Sequence, residues 1–278
     1  MSDFGGFSEF TVGSVIGRAW RVMWQKFHAF LGITLLSSGI SVAVAALLGV
    51  AIGTLLASFN IPGSTVVGAS AVFISFLMVS AIFQGALTYA IFMLLLNGWA
   101  SIGEAFKRSA RRVLSLILGI LIMIVALGLL LIVPIIIVAW ASIASGVGGR
   151  GLVVIVTAIG FVFFIITLIR WSVFAPACVI ERAGPIASLG RSSKLTKGYG
   201  WKIFGIFVLM GIVMIIFSAL TQFIANKIFG AGILGNLFAT IVGAIPMTYF
   251  NVLPAVIYYS LRVVKENLTP DSLADIFD

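Results

Sequence analysis

The sequence predicts an all-α membrane protein with six transmembrane helices, and its composition, its long apolar runs and the placement of its charges favour that class. Hydrophobic residues make up 62% of the 278 positions and charged residues only 9%, with a mean hydropathy of +1.25. Water-soluble domains carry about 25% charged residues. The bilayer is therefore the expected solvent, and residues 1–278 are predicted to form a single transmembrane domain.

Six apolar stretches without charged residues are each long enough to cross a hydrocarbon core of about 30 Å as a helix. They are Phe30–Ala57, Thr65–Leu96, Val113–Ala141, Leu152–Ile169, Ile203–Ala225 and Ala231–Leu261. Proline removes a backbone donor from a helix, so Pro134, Pro176, Pro246 and Pro254 are candidate kink points.

The basic residues predict which side of the membrane each loop occupies, because cytoplasmic loops carry an excess of Lys and Arg. With the N-terminus inside, fourteen of the seventeen basic residues fall in cytoplasmic segments. The outer loops hold only Arg150 and Lys227, and Arg170 lies near the inner end of the fourth stretch. Both termini are therefore predicted to be cytoplasmic.

Three basic segments that precede apolar stretches resemble one another: VGSVIGRAWRV from Val12, IGEAFKRSARR from Ile102 and PIASLGRSSKL from Pro185. Helix positions i and i+3 share a face, so each segment is predicted to form an amphipathic helix in the inner interface. A gapless alignment superimposes two sets of cations, Arg18, Arg108 and Arg191, and then Arg21, Arg111 and Lys194.

This pattern predicts three parallel repeats of an interfacial helix and a transmembrane hairpin, covering residues 10–97, 98–181 and 182–265. The alternative is that basic amphipathic segments before membrane spans look alike by chemistry alone. Residues 266–278 form an acidic tail, which is predicted to be cytoplasmic.

Small residues recur every four positions on the first span, at Ser41, Ala45, Gly49, Gly53 and Ala57. Such a ridge lets two helix backbones approach closely. Packing within one chain is the favoured interpretation, and a homodimer contact is the alternative.

The chain is poor in groups that carry catalysis. It has one histidine, His28, and one cysteine, Cys178, so a metal site would lack ligands and no disulfide can form within the chain. We therefore expect no catalytic residues, no metal and no cofactor. Nucleic-acid binding is not expected either, since the net charge of +9 is scattered between apolar runs.

Arg170 is the one charged residue inside an apolar run, which begins with the fourth stretch and continues to Ile180, and this makes it a candidate functional residue by default. The favoured interpretation is structural, with Arg170 reaching the inner interface or pairing with Glu181 or Glu104. Contact with a lipid phosphate is the alternative. Other cations are candidates for anionic headgroups or for ion pairs, namely Arg191, Lys194, Arg18, Arg21, Arg108 and Arg111.

The segment RWSVFAPACVIERAGPIASLGRSSKLTKGYGWKIFGI, from Arg170 to Ile206, carries the pattern E-x-x-G-P, then R-S-x-x-L-T-x-G, then W. With ASIGEAFKRSARRVL from Ala100 and PAVIYYSLRVVKENL from Pro254, it resembles the bacterial membrane-domain family that occurs beside glycerophosphoryl diester phosphodiesterase domains. The resemblance implies a helical protein of the bacterial inner membrane. The phosphodiesterase activity of such fusions belongs to a separate soluble domain, and it is not carried over.

We therefore expect a non-enzymatic inner-membrane protein that supports envelope organisation. Its expected partners are anionic lipid headgroups at the inner face, with a membrane-protein partner or a homodimer as a further possibility. The alternative function is a channel or transporter for a small solute or lipid. An enzyme would need a lipid substrate at the inner interface near Arg170, Glu181 and Glu104.

Overall fold

The computed structural model describes residues 10–58, 64–97, 101–145, 150–230 and 232–266. Regular structure in these ranges is entirely helical, which confirms the predicted all-α class. The acidic tail beyond Glu266 lies outside the described residues. The helices are α1 (Val12–Gln25), α2 (Phe27–Ser58), α3 (Ser64–Asn97), α4 (Ile102–Ala110), α5 (Val113–Ser145), α6 (Arg150–Arg170), α7 (Phe174–Ile180), α8 (Pro185–Thr196), α9 (Gly200–Phe229) and α10 (Ile233–Glu266).

Six of these helices, α2, α3, α5, α6, α9 and α10, are long and apolar enough to cross a membrane. Five of the predicted stretches lie inside them, and the sixth differs only in starting at Ala231, before α10 begins. The helices continue through Pro134 in α5 and through Pro246 and Pro254 in α10. Pro176 instead lies in the first turn of α7, a short helix that the sequence analysis did not predict.

The three amphipathic segments form α1, α4 and α8, and each helix begins at the first residue of its segment. Local chemistry explains these starts. Thr11 and Ser14 form a reciprocal capping box at α1, and the Ser101 side chain accepts from the backbone N–H of Glu104 at α4. At α8, Pro185 occupies the first turn, where a missing N–H costs nothing. That the three units are copies of one repeat stays a prediction.

The buried core lies at one end of the bundle, which we call the basic end because it carries α1, α4 and α8. Most of its side chains come from α1, the second half of α3, α7 and the second half of α10, and α2, α4, α5, α8 and α9 contribute others. Towards the opposite ends, the long helices pack mainly as the hairpins α2–α3, α5–α6 and α9–α10. In α9, only Thr221 and Ala225 are buried beyond Met210.

The glycine ridge of α2 faces α3 of the same chain. A Cβ atom at Gly49 would overlap the side chain of Val72, and one at Gly68 would lie 3.7 Å from the Gly53 Cα atom. At these glycines, the two helix backbones therefore approach each other closely within one chain. The side chains of Ala45 and Ala57 lie outside the described part of the structure.

Gly119 of α5 is a second position of close packing, because a Cβ atom there would overlap the buried ring of Phe174 in α7. We expect Gly119→Ala to lower the free energy of unfolding by about 1–3 kcal/mol through overpacking. Thermal unfolding of the detergent-solubilised protein measures this. Gly128→Ala, in the same helix with open space around it, is the matched control and should not destabilise. Equal unfolding midpoints for the two variants would contradict this packing.

Candidate functional site

An ion-pair cluster joins three elements at the basic end, and its members are Glu181, Arg191, Tyr258, Arg262 and Glu266. Arg191 Nε lies 2.8 and 2.9 Å from the two carboxylate oxygens of Glu181, and its Nη2 donates to Glu266. Arg262 Nε donates to Glu266 Oε2 at 2.8 Å, and the Tyr258 hydroxyl donates to Glu181 Oε1 at 2.5 Å. The cluster therefore ties α8 to the end of α7 and to α10.

Burial alone would lower the pKa of Arg191, but the hydrogen bonds and negative charges of Glu181 and Glu266 outweigh it and raise that pKa. The guanidinium is thus held in its charged form by its partners. These hydrogen bonds are charge-assisted, which makes them stronger than neutral ones.

The cluster corrects the expected ion pair of Arg170. Both candidate carboxylates pair elsewhere, Glu181 with Arg191 and Glu104 with Arg108, whose Nη2 lies 3.0 Å from Glu104 Oε1. The Arg170 side chain is exposed, and its backbone carbonyl accepts hydrogen bonds from the hydroxyls of Ser192 at 2.7 Å and Thr196 at 3.2 Å.

Those two hydroxyls attach α8 to the C-terminal end of α6. On the other side, Lys265 Nζ donates to the carbonyls of Lys194 at 2.8 Å and Lys197 at 2.6 Å, so it caps the C-terminus of α8. Gly198 follows with a φ of +90°, a conformation that favours glycine. The residues of the R-S-x-x-L-T-x-G pattern therefore form contacts that hold α8 between α6 and α10.

A groove of about 550 Å³ opens beside this junction, and we call it the α6–α9 groove. Ile165, Ile166 and Ile169 from α6 and Phe204 from α9 contribute apolar walls. Two cations, Arg170 and Lys197, line it together with Trp201, whose side chain is 86% exposed. This volume falls within the range of about 300–1,000 Å³ that is usual for ligand sites.

The two groove cations are exposed, and within the described residues neither side chain forms an ion pair. An indole ring at this level is typical of a membrane interface, where its apolar body meets lipid and its N–H meets water. The apolar walls match the acyl chains of an anionic lipid, and the two cations above them match its negatively charged headgroup.

The other candidate cations have different surroundings. Arg18 is 5% exposed, donates to the Ser260 hydroxyl at 3.0 Å and lies 5.6 Å from the centre of the Tyr259 ring. Burial lowers its pKa. Its place is thus inside the core, away from headgroups. Arg21, Arg111 and Lys194 are exposed.

Two of the three aligned arginines make comparable contacts. Arg18 contacts α10, and Arg108 lies 5.1 Å from the centre of the Tyr89 ring in α3, so each attaches its short helix to the last helix of a hairpin. Arg191 differs, because it pairs with Glu181 after α7 and with Glu266 of α10.

Sequence reasoning did not select Lys197, Tyr258, Arg262 or Glu266 as site residues. Tyr258 sits in an apolar run and has the pattern of a core aromatic, whereas Glu266 opens the acidic tail. Glu266 contacts Arg191 and Tyr258 contacts Glu181 at separations of 75 and 77 residues, so no local spacing reveals these two contacts, whereas Arg262 and Glu266 form an i,i+4 pair. Among the residues that the structure describes, no three His, Cys, Asp or Glu side chains gather in a way that could hold a metal ion.

Comparisons with known proteins add no relative: no family model, no curated protein and no solved structure matches the chain. The resemblance to the bacterial membrane-domain family therefore stays a prediction, and the geometry of the site carries the functional argument.

The ion-pair cluster predicts a stability difference between two conservative substitutions. Glu181→Gln removes the charge that Arg191 and Tyr258 contact, and should cost about 1–2 kcal/mol in unfolding free energy, within the usual range for hydrogen bonds to charged groups. Glu104→Gln breaks only an exposed pair within α4, worth about 0.5 kcal/mol or less. Thermal unfolding of both variants measures the difference, and equal midpoints would show that the cluster does not hold the basic end together.

Proposed function

We propose that this chain is a non-enzymatic protein of the bacterial inner membrane that binds an anionic phospholipid in the α6–α9 groove. The observation that carries the proposal is the pair of exposed cations, Arg170 and Lys197, above apolar walls at one end of a membrane-spanning helix pair. Binding of this kind supports envelope organisation through lipid association at the cytoplasmic face.

The charge distribution supports a cytoplasmic location of the basic end. Basic residues concentrate at the basic end, and cytoplasmic segments of membrane proteins carry such an excess. Anionic lipids attract basic segments by about 1 kcal/mol for each Lys or Arg near the surface. Two cations converging on one groove would therefore select an anionic headgroup over a zwitterionic one, while the apolar walls accommodate acyl chain.

A channel or transporter for a small solute or lipid is the second candidate. The observation that favours it is a cavity between α2, α3 and α10 whose mostly apolar walls also carry serine, threonine, glutamine and asparagine side chains. This cavity lies among different helices from the α6–α9 groove, so the two candidate functions can be tested separately.

Loss of both groove cations should weaken lipid binding. We expect Arg170→Gln/Lys197→Gln to lower the affinity for phosphatidylglycerol by about tenfold or more, from about 1 kcal/mol for each cation. Native mass spectrometry of the protein released from nanodiscs reports the retained lipid. The control Lys107→Gln/Arg111→Gln removes the same charge from exposed positions at α4. Retention that falls equally in both double variants, or in neither, would rule out the groove.

The orientation is testable by cysteine labelling in whole cells. In a Cys178→Ala background, a membrane-impermeant maleimide should label Lys227→Cys, near the end of α9 opposite the basic end, and leave Arg111→Cys unlabelled until the membrane is permeabilised. Labelling of Arg111→Cys in intact cells would place the basic end outside.

A further inference from the structure

The cavity between α2, α3 and α10 has a volume of about 280 Å³ and lies near the middle of the spans, and its mostly apolar walls carry a few polar groups. Ser37 and Ser41 of α2, Ser80 and Gln84 of α3 and Asn251 of α10 line it, each well inside its helix. Apolar side chains complete the walls. Clustering of polar groups at this depth needs an explanation, because an unsatisfied polar group in hydrocarbon is costly.

Some of these groups are satisfied by the protein. The hydroxyls of Thr34 and Ser38 donate to carbonyls of their own helix, and Gln84 Nε2 donates to the Asn251 backbone carbonyl at 3.3 Å. Ser41 and Ser80 meet at 3.4 Å, which is long for a bond between hydroxyls.

Two other polar side chains that line the cavity have unused hydrogen-bonding capacity. Within the described chain, the Asn251 side-chain amide and the Ser37 hydroxyl have no protein hydrogen-bond partner. An asparagine amide offers two donors and one acceptor, and a serine hydroxyl offers one donor and two acceptors. The cavity therefore presents unused donors and acceptors side by side.

The described lining disfavours a charged occupant. None of the described residues around the cavity is Asp, Glu, Lys, Arg or His, so an ion there would lose its hydration without gaining a counter-charge from them. A molecule that both donates and accepts without carrying charge fits, and hydroxyl groups have this property. At the rim, the side chains of Phe76 and Met247 are both 42% exposed, which gives an apolar border.

We propose that the cavity between α2, α3 and α10 binds an uncharged hydroxyl-bearing ligand, held by the Asn251 amide and the hydroxyl of Ser37. Such hydroxyls have two sources, a water-soluble polyol or the headgroup of an uncharged lipid such as a diacylglycerol. This site is separate from the α6–α9 groove and does not depend on lipid binding there.

The test is protection of a cysteine placed in the cavity. Full-length Ser80→Cys, which lines the cavity without being one of the two proposed binding groups, is purified in a Cys178→Ala background in detergent and treated with the small, neutral reagent methyl methanethiosulfonate. Glycerol and 1,2-dioleoylglycerol are the two probes, and their charged counterparts are glycerol 3-phosphate and dioleoylphosphatidic acid. One uncharged probe should slow labelling in a saturable manner, and its charged counterpart should not.

Protection by glycerol identifies a water-soluble source, and protection by dioleoylglycerol alone identifies a lipid. Asn251→Leu should raise the probe concentration that halves the labelling rate by about tenfold, as expected for lost hydrogen bonds. Gln84→Met provides a second reading if Asn251→Leu folds poorly. Ser38→Ala is the matched control, since that hydroxyl is already bonded within its helix, and Arg170→Gln should also change nothing.

Three results would overturn the proposal. They are absence of protection by either uncharged probe, equal protection by the charged counterparts, and protection that is unaffected by both Asn251→Leu and Gln84→Met. The first of these would mean that the cavity holds only water.

Discussion

The ion pairs of Arg191 with Glu181 and Glu266 determine how the basic end is assembled. They bring together a segment after α7, the middle of α8 and the last residue of α10, which are otherwise far apart in sequence. With α8 held there, Ser192 and Thr196 reach the last carbonyl of α6, and Lys265 reaches the end of α8. The position of Lys197, and with it the cationic rim of the α6–α9 groove, therefore depends on these ion pairs.

The same constraint explains why the two candidate sites differ in chemistry. At the basic end, charged side chains can reach water, so Arg170 and Lys197 are tolerated although neither forms an ion pair with another described residue. Near the middle of the spans that option is lost, and the polar residues found there are neutral serine, threonine, glutamine and asparagine. Depth in the membrane is thus the physical basis of both proposals, an anionic lipid at one site and an uncharged ligand at the other.

Much of the fold could be predicted from the sequence because its cause is local. Hydropathy defines the six long helices, and capping residues such as Thr11 and Ser101 define where the short helices begin. The site was harder, since its contacts are tertiary. Arg170 was selected as a candidate, but its expected partners Glu181 and Glu104 pair with other arginines. No spacing rule reveals that Arg18 is buried against α10 whereas Arg21, three residues later, is exposed.

The most direct test of the central claim identifies the lipid that occupies the α6–α9 groove. A photo-crosslinking amino acid at Ile166, inside the groove, is compared with one at Ile215 on the exposed surface of α9. Both proteins are activated in membranes of mixed phosphatidylethanolamine and phosphatidylglycerol, and the attached lipid is weighed by mass spectrometry. The account predicts enrichment of phosphatidylglycerol at Ile166 relative to Ile215, and loss of that enrichment when Arg170 and Lys197 are both changed to Gln. Identical lipid composition at the two positions would contradict it.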